Sequence, residues 1–389
     1  MRLNTGENNI IKMTKTKIFA AYLPQYHETE DNNKFWGKGY TDWCAVKAAH
    51  SLFEGHRQPR VPLNGEYYDL SDVHSIEWQA KLAKEYGISG FNIYHYWFKD
   101  GRKSLETPAE LLLAHPEIDI EFFFTWDNGS WRRTWSNVAG NDWAPKFEKN
   151  GANQNEQVNA IDKSGILIEF AYQGQEAWKE HFDYLVPFFR DKRYLKIDNK
   201  PVFMFFSREH KEIAQMREYW NHLAKAIGFD GVYICTQKSY FVKAHAVDAQ
   251  FVYQPTYSSW GLSAKIKAKV KQYLKLSKNN KLKKYNYENC WKKIINDTKV
   301  LPLNRVIPGC FVGYDDTPRR GARGRTVLYQ TPELFGQYFS QLYNICCKRG
   351  DRILLITAWN EWGEGAYLEP DDYDKYGYLE AIKKTVNKV

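Results

Sequence analysis

The 389-residue sequence lacks the features that mark membrane, disulfide-rich and zinc-binding proteins. It contains no run of about 18 apolar residues, and its N-terminus, MRLNTGENNIIKMTKTK, has no apolar core of the kind found in signal peptides. The six cysteines form no Cys-x-x-Cys pair and no ligand-like spacing with histidine, which argues against a disulfide framework or a zinc site. We therefore expect a cytoplasmic protein that needs no metal and no cofactor.

A glycine-rich loop for nucleotide phosphates is also missing, because Gly-x-Gly-x-x-Gly occurs nowhere in the sequence. Open, doubly wound sheets that bind dinucleotides carry this loop between a strand and a helix. The sequence therefore disfavours an open sheet of that kind relative to a closed α/β barrel.

Acidic residues are scarce in one segment, which accounts for the net charge of +9. Residues 263–294 hold eleven lysines and one acid, Glu288, so the rest of the chain sums to about −1. We therefore expect no nucleic-acid partner. Four apolar positions between the lysines have helical spacing and predict an amphipathic helix with a cationic face. These positions are Ile266, Val270, Tyr273 and Leu274. The surface Lys265–Lys293 is either a peripheral contact with anionic lipid at the inner face of the membrane, or with an acidic partner, or a solvated outer helix and loop.

Eight apolar runs predict strands that alternate with helical patterns. The predicted strands are residues 17–23, 90–94, 120–125, 201–206, 231–235, 249–253, 305–311 and 352–357. The predicted helices are residues 71–86, 108–115, 175–189, 211–227 and 332–347. Residues 1–16 are predicted to be frayed, residues 28–70 to form a long ordered loop without a clear period, and residues 127–165 to be long and irregular. This order predicts an α/β fold, a single (β/α)8 TIM barrel over residues 17–389 with long loops at its C-terminal face and a Lys-rich insertion at about 263–294.

Aromatic residues are more abundant than a core requires, with 27 tyrosines and 14 tryptophans. Many of them follow predicted strands, in the motifs YLPQYH, YHYWF, TWDN, GYDDTPRR and WNEWGEG. The C-terminal strand ends of a barrel form its active-site face, so these motifs are expected to meet in one cleft. Aromatic rings beside polar groups are typical of sugar sites.

The segment TAWNEWGEGAYLEPD, residues 357–371, is the candidate catalytic segment because it holds Glu361, Glu364 and Glu369 directly after a buried strand. Two neighbouring carboxylates can have their pKa values moved apart, which provides one acid and one base. The alternative interpretation is a polar loop whose tryptophans cover the end of the core.

Further residues at the strand ends are candidates for binding substrate. They are Tyr22, Gln25, Tyr26, His27, His95, Tyr96, Trp97, Trp126, Asn128, Asp316, Arg319, Trp359 and Asn360. Each has a structural alternative: the histidines as satisfied structural groups, the aromatic residues as core, and Asp316 and Arg319 as an ion pair with each other.

These motifs carry a resemblance over nearly the whole chain. Segments such as AAYLPQYH, FWGKGYTDW, FEGHRQPR, DKRYLKIDNKPVF and AWNEWGEGAYLEP resemble the WbsX family of bacterial polysaccharide-biosynthesis proteins, which is similar to glycoside hydrolase family 99. The resemblance implies a retaining, substrate-assisted mechanism through a 1,2-anhydro sugar, with Glu361 as the base toward the sugar 2-hydroxyl and Glu364 as the general acid. Two departures concern sugar specificity: this chain has TWDNGSWRRTW where the family commonly has WANENWTRRW, and YDDTPR where it often has WDNTPR.

The expected function is therefore that of an enzyme that makes or breaks a glycosidic bond in a bacterial surface polysaccharide such as O-antigen, capsule or lipopolysaccharide. The first expectation is transfer of a glycosyl group onto an oligosaccharide or polysaccharide that is lipid-linked or free. A nucleotide-sugar is the candidate donor. The alternatives are a retaining endo-α-glycosidase of the endo-mannanase type and a non-catalytic saccharide-binding barrel. The carboxylate pair and the missing nucleotide loop favour hydrolysis or transfer between sugars, whereas the closer resemblance to WbsX favours synthesis.

Overall fold

The structure, a computed structural model, describes residues 15–132, 166–207, 211–239, 246–261 and 282–388. Its strands are β1 (Lys17–Tyr22), β2 (Gly90–His95), β3 (Glu121–Trp126), β4 (Trp131–Arg132), β5 (Ile166–Ile168), β6 (Lys196–Ile197), β7 (Lys200–Phe205), β8 (Tyr233–Gln237), β9 (Ala249–Phe251), β10 (Lys283–Asn286), β11 (Val306–Ile307), β12 (Gly309–Phe311), β13 (Arg325–Leu328), β14 (Ile353–Thr357), β15 (Asn360–Glu361) and β16 (Ala366–Tyr367). Its α-helices are α1 (Glu30–Trp36), α2 (Asp42–Ala48), α3 (Val73–Glu85), α4 (Thr107–Ala114), α5 (Gln175–Arg190), α6 (Lys211–Ala226), α7 (Tyr287–Val300), α8 (Thr317–Arg320), α9 (Pro332–Arg349) and α10 (Gly377–Val386).

Nine parallel strands form a nearly closed barrel in the order β11-β9-β8-β7-β3-β2-β1-β14-β12. The two outermost strands, β11 and β12, are consecutive pieces of one extended segment that Pro308 interrupts. A proline has no backbone N–H to donate. Its carbonyl still accepts from Leu355 N on β14 at 3.0 Å, while Ile307 O accepts from Val252 N at 3.0 Å next to β9. The segment therefore bridges the two edges, and the predicted TIM-barrel fold is confirmed.

The strands are buried on both faces, as parallel strands covered by helices are expected to be. Strand β2 is buried along its whole length, and in β3 only the first residue is partly exposed. The outer face of these two strands packs under α5, where Phe124 and Phe188 have ring centroids 5.0 Å apart. On the opposite side of the barrel, Trp291 of α7 stacks on Phe311 of β12, and their centroids are 5.8 Å apart.

Two predictions about local structure were wrong. Residues 28–70 are not one long ordered loop, because they contain α1 and α2. These seven-residue helices are too short to show a clear apolar period, and α1 buries Asp31 and Asn32 as well as Phe35. The hydroxyl of Thr29 begins α1 by accepting from Asn32 N at 3.0 Å. The predicted strand 305–311 is two strands, for the reason given above.

The Lys-rich segment lies only partly within the described residues. The predicted helix around residues 266–274 and most of the predicted loop 127–165 fall outside them, as do residues 1–14 of the predicted frayed terminus. Residues 283–300 form β10 and α7, which the sequence did not predict, and Tyr287, Cys290, Trp291 and Ile294 of α7 are buried. The C-terminal part of the basic segment is thus a packed element of the barrel. Among the described residues, no helix is both long and apolar enough to cross a membrane.

Candidate active site

The acid loop, residues 360–367, projects from the end of β14. Its two ends pair as the short antiparallel ladder β15–β16, with Glu361 opposite Ala366. Between them the chain makes one 3₁₀ turn, Trp362–Glu364, and reverses at Gly365, whose φ is +56°. A residue with a side chain adopts that conformation only with strain. This turn presents Glu361 and Glu364, the acid pair, on one side of a short rigid hairpin.

A single guanidinium group joins the acid pair to a third carboxylate. Arg319 Nη2 lies 3.1 Å from Glu361 Oε2, and Arg319 Nη1 lies 3.2 Å from Glu364 Oε1. Arg319 Nη2 is also 3.0 Å from Asp42 Oδ2, and Arg319 Nε is 3.3 Å from Asp42 Oδ1. Asp42 is at the first position of α2, so the loop that follows β1 contributes to the site. One guanidinium group therefore contacts three carboxyl groups.

Gly363 makes this arrangement possible, because it is the residue between the two acids. A methyl group at this position would lie 2.6 Å from both Arg319 Nε and Asp42 Oδ2. Carbon atoms do not approach polar atoms so closely without a shift. The glycine therefore lets the arginine and its aspartate pack directly on the backbone of the acid loop.

Burial makes both members of the acid pair weaker acids than usual. Glu361 is 5% exposed. Burial, opposed by Arg319 and reinforced by the charge of Glu364, raises its pKa to about 8. Burial also raises the pKa of Glu364, again opposed by Arg319. Because two close carboxylates rarely ionise together, the pair can hold one proton and one negative charge near neutral pH. That is the state required for one acid and one base.

A layer of hydrogen bonds below the acid loop fixes its position. Tyr26 Oη donates to Asn360 O at 2.5 Å and accepts from Trp362 N at 3.1 Å. This hydroxyl therefore bonds to the backbone on both sides of Glu361. The Asn360 side chain is bonded through its Oδ1 and Nδ2 to the backbone N–H and C=O of Leu23, at 2.7 and 3.0 Å. These bonds tie the loop after β14 to the end of β1.

Glu369 is held by three donors and has a structural role. Its carboxylate accepts from Gln79 Nε2 at 2.6 Å, Trp362 Nε1 at 2.6 Å and Tyr68 Oη at 2.9 Å. Burial raises its pKa to about 7, although these hydrogen bonds lower it. Because its oxygens accept hydrogen bonds within the protein, Glu369 fixes the indole of Trp362 in position.

A second buried network anchors the other end of the acid loop. Asp315 N donates to Glu364 O at 2.5 Å, and the Asp315 carboxylate bonds to His56 Nε2 at 2.7 Å and Gln58 Nε2 at 2.9 Å. Burial would raise the pKa of Asp315, but its hydrogen bonds and the nearby Arg60 charge lower it below the usual value. An ionised Asp315 therefore holds the loop after β12 against the acid loop.

Alternation along the strands decides which residues at the ends of β2 and β3 reach the cleft. His95 and Trp126 project outward onto α5: His95 Nε2 is 2.8 Å from His181 Nε2, and the rings of Trp126 and His181 have centroids 4.6 Å apart. Asn92 and Thr125 project inward and share a buried hydrogen bond of 2.6 Å. Residues two positions further along the chain from this inward pair therefore line the mouth of the barrel.

Four tyrosines lie within electrostatic reach of the acid pair, and of these four only Tyr96 was among the candidates from the sequence. Tyr94 Oη lies 3.4 Å from Tyr253 Oη. Burial is the main cause that raises the pKa of Tyr94, Tyr96, Tyr253 and Tyr314, and the charge of one or both acids raises each further. Their rings and hydroxyls thus lie within electrostatic reach of the pair. Asp42 was also missed, although it lies in the motif FWGKGYTDW, because nothing in its spacing separates it from a helix-start residue.

Several predicted binding residues are instead engaged within the protein. Tyr22 Oη donates to Gln79 Oε1 at 2.7 Å, and Trp126 Nε1 donates to Trp97 O at 3.0 Å. The amide of Asn128 bonds to Tyr172, Ser207 Oγ and Ser207 N. The rings of Trp97 and Trp359 are buried against His181 and Phe91, respectively.

The remaining candidates differ in their contacts. Gln25 donates to Asn32 Oδ1 at 3.3 Å, and His27 is buried, which lowers its pKa. The side chains of Asp316 and Arg319 do not pair with each other. Asp316 Oδ2 lies 3.3 Å from Arg320 Nε, while Arg319 holds the acid pair. Of the predicted residues, the structure brings together Glu361, Glu364, Arg319 and Tyr96, with Tyr26 and Asn360 directly behind them.

The chain is similar to one protein family and to two curated proteins over nearly its whole length. A family model described as glycosyltransferase WbsX matches residues 18–382. Two curated relatives, both named "Uncharacterized protein WxcX" and from two strains of Xanthomonas campestris pv. campestris, are 27% identical over 385 residues, which is 95% of this chain and 50% of theirs. The chain thus spans about half the length of these curated relatives.

Among solved structures, the GH99 endo-alpha-mannosidase from Bacteroides thetaiotaomicron aligns with a TM-score of 0.55 and 14% identity, over 95% of this chain and 96% of that one. A protein described as "Glycoside hydrolase-like protein" aligns with a TM-score of 0.55 and 12% identity, over 96% and 94%. At these identities the likeness is one of fold, a barrel shared with glycoside hydrolases.

Proposed function

The chain belongs to the WbsX glycosyltransferase family of carbohydrate-active enzymes, and from this premise we propose that it transfers a glycosyl group to a saccharide acceptor with Glu361 and Glu364 as its acid/base pair. The observation that carries the proposal is the acid pair itself. Two buried carboxylates share one guanidinium, and the pKa of one is raised to about 8. Buried acids that are only partly neutralised are costly to keep, so their presence at the mouth of a barrel supports a catalytic role.

The proposed reaction follows the substrate-assisted route that the family resemblance implies. One carboxylate of the pair takes the proton of the donor sugar's 2-hydroxyl, and the 2-oxygen attacks the anomeric carbon. The second, protonated carboxyl gives its proton to the leaving oxygen as the old glycosidic bond breaks. An acceptor hydroxyl then attacks the anomeric carbon of the 1,2-anhydro sugar and loses its proton to the second carboxylate, while the first returns a proton to the 2-oxygen. Atoms and protons balance, and each step uses a group of the acid pair.

We propose an α-mannosyl donor, because one fold relative is an endo-alpha-mannosidase. We propose that the acceptor is a lipid-linked oligosaccharide and that the reaction belongs to the synthesis of a bacterial surface polysaccharide in the cytoplasm. A nucleotide-sugar and a preformed saccharide are both candidate donors.

Hydrolysis is the second candidate, because the same pair can deliver water instead of an acceptor hydroxyl. The barrel shared with the mannosidase favours it. A saccharide-binding barrel without turnover is the third. It predicts sugar affinity that survives Glu364→Ala and no reaction by the wild type.

Transfer is tested by incubating the wild type, Glu361→Gln and Glu121→Gln with GDP-mannose and other nucleotide-sugars and with crude membrane glycolipid as acceptor. Glu121 is the matched control, because it lies at the opposite end of β3 and pairs with Lys17. Nucleotide release that requires the acceptor and is lost only in Glu361→Gln supports transfer. New reducing ends from α-linked mannan, without nucleotide release, would replace transfer by hydrolysis.

The separate roles of the two acids are tested with α-mannosyl fluoride, whose leaving group needs little protonation. If Glu364 is the acid, Glu364→Gln retains most of the fluoride release, whereas Glu361→Gln loses about a hundredfold or more. The reverse pattern would exchange the roles. Equal loss in both variants would contradict a division of labour within the pair.

A further inference from the structure

The proposed mechanism does not use one of the carboxyl groups in the cleft, that of Asp127. Asp127 follows β3 directly, and Asp127 N continues the parallel ladder by donating to His95 O at 3.0 Å. His95 lies opposite Trp126 in the register of β2 and β3, so the next pair along the ladder is Tyr96 and Asp127. Adjacent residues in a parallel register share a face of the sheet. Asp127 therefore stands beside Tyr96 on the inward face.

The surroundings of Asp127 differ from those of its neighbours in the motif TWDN. Trp126 and Asn128, on either side, project outward and have protein partners. Within the described residues, no hydrogen bond or ion pair reaches the Asp127 carboxyl, which is only partly exposed. Burial raises its pKa to about 6, and no cation in the described part of the chain opposes this. A carboxyl group that is kept desolvated without a partner is ready to accept one.

Tyr96 links Asp127 to the acid pair, because it is the ladder neighbour of Asp127 and also lies within electrostatic reach of Glu361. Burial raises the pKa of Tyr96, and the charges of Asp127 and Glu361 raise it further. Gly129 leaves the approach open, since the nearest atom to a methyl group there would be Asp127 Oδ1 at 3.8 Å. A saccharide that extends from the acid pair along this side of the barrel mouth would reach Asp127 with its next sugar residue.

We propose that Asp127 is a specificity-determining residue that accepts hydrogen bonds from two adjacent hydroxyls of the sugar residue next to the reacting bond. The proposal rests on the proposed function and names a feature of its substrate, a neighbouring residue with a free vicinal diol. The two oxygens of a carboxylate accept a diol in bidentate fashion. A metal ion is the weaker occupant, because the described residues form no cluster of three or more metal-ligating side chains.

The test is calorimetric binding of α-1,2- and α-1,3-mannobiose to the wild type, Asp127→Asn, Asp127→Ala and Glu121→Gln, all confirmed as folded by their melting temperatures. We expect both Asp127 variants to bind about tenfold or more weakly and Glu121→Gln to bind as the wild type, because a hydrogen bond to a charged group contributes about that much. A mannobiose that lacks one hydroxyl of the diol should bind the wild type and Asp127→Asn nearly equally.

Three outcomes would overturn the assignment. Unchanged binding by Asp127→Asn would remove Asp127 from the site while leaving the proposed function intact. Binding only of a 2-amino-2-deoxy analogue would replace the diol by an ammonium group as the partner. A wild type that binds no mannobiose would overturn the α-mannosyl substrate and the assignment together, whereas nucleotide release in the separate transfer assay would still support glycosyl transfer.

Discussion

Replacing Arg319 by glutamine should destabilise the protein, and the loss should depend on pH. The change keeps a polar side chain but removes the one guanidinium that contacts Asp42, Glu361 and Glu364 at 3.0 to 3.2 Å. Breaking a buried ion pair by deleting one partner costs about 3–5 kcal/mol. The cost is not three times larger, because the abandoned carboxyls can take up protons. For a chain of this size the expected fall in melting temperature is several degrees.

The sign of the pH dependence follows from the raised pKa of Glu361. Its ordinary value is 4.5 and its value in the folded protein is about 8, so the folded state binds this proton more tightly than the unfolded state. Its contribution to stability is therefore fully present below about 4.5 and is lost as the pH rises toward about 8. Arg319 opposes the rise in both acids. Without it their pKa values rise further, so the variant loses more stability than the wild type between pH 5 and pH 8.

The assay is the difference in melting temperature between variant and wild type at pH 5 and at pH 8. Arg352→Gln is the control, because Arg352 pairs with Asp198 at 3.2 Å with both side chains more than half exposed. Such surface pairs contribute about 0–1 kcal/mol, so its melting temperature should barely change at either pH. A deficit for Arg319→Gln that is the same at both pH values, or no larger than that of the control, would refute the reasoning.

Three further changes test the support of the acid loop. Tyr26→Phe removes the hydroxyl that bonds Asn360 O and Trp362 N, and should cost about 1–3 kcal/mol in urea unfolding and lower kcat more than it raises KM. Glu369→Gln replaces a carboxylate whose pKa is raised to about 7, so the stability of the variant, followed by melting temperature, should fall less than that of the wild type between pH 5 and pH 8. Gly363→Ala should abolish turnover and lower the melting temperature, because the methyl group displaces the arginine from the acid pair; an active variant would show that this contact is dispensable.

The barrel was predictable because each of its strands is a short apolar run between helical patterns, and buried parallel strands have this composition. The short helices were not. Helix α1 depends on the hydroxyl of Thr29 and buries polar residues, so it leaves no apolar period in the sequence. The break at Pro308 needs knowledge of which neighbour each half of the segment pairs with, and that is a property of the closed barrel.

The candidate site was predictable where chemistry is concentrated in one segment. WNEWGEG holds both acids, the glycine that admits Arg319 and the tryptophan that rests on Glu369. Asp42, on α2, is more than 270 positions earlier in the chain, and its role exists only because Arg319 reaches it across the cleft. Spacing along the sequence carries no information about such a contact.

At the ends of β2 and β3, some predicted binding residues point away from the cleft, because the sequence does not show which alternate residues face inward. The motifs YHYWF and TWDN indicate that polar and aromatic groups follow β2 and β3, but sequence alone does not say which alternate residue faces the barrel mouth. His95 and Trp126 have side chains suited to binding sugars, yet they pack outward on His181. Once one outward contact is known, the phase of the whole motif follows, and it directs Tyr96 and Asp127 into the cleft. A search for binding residues at the ends of barrel strands should therefore first identify one residue that contacts an outer helix, and then take the residues on either side of it.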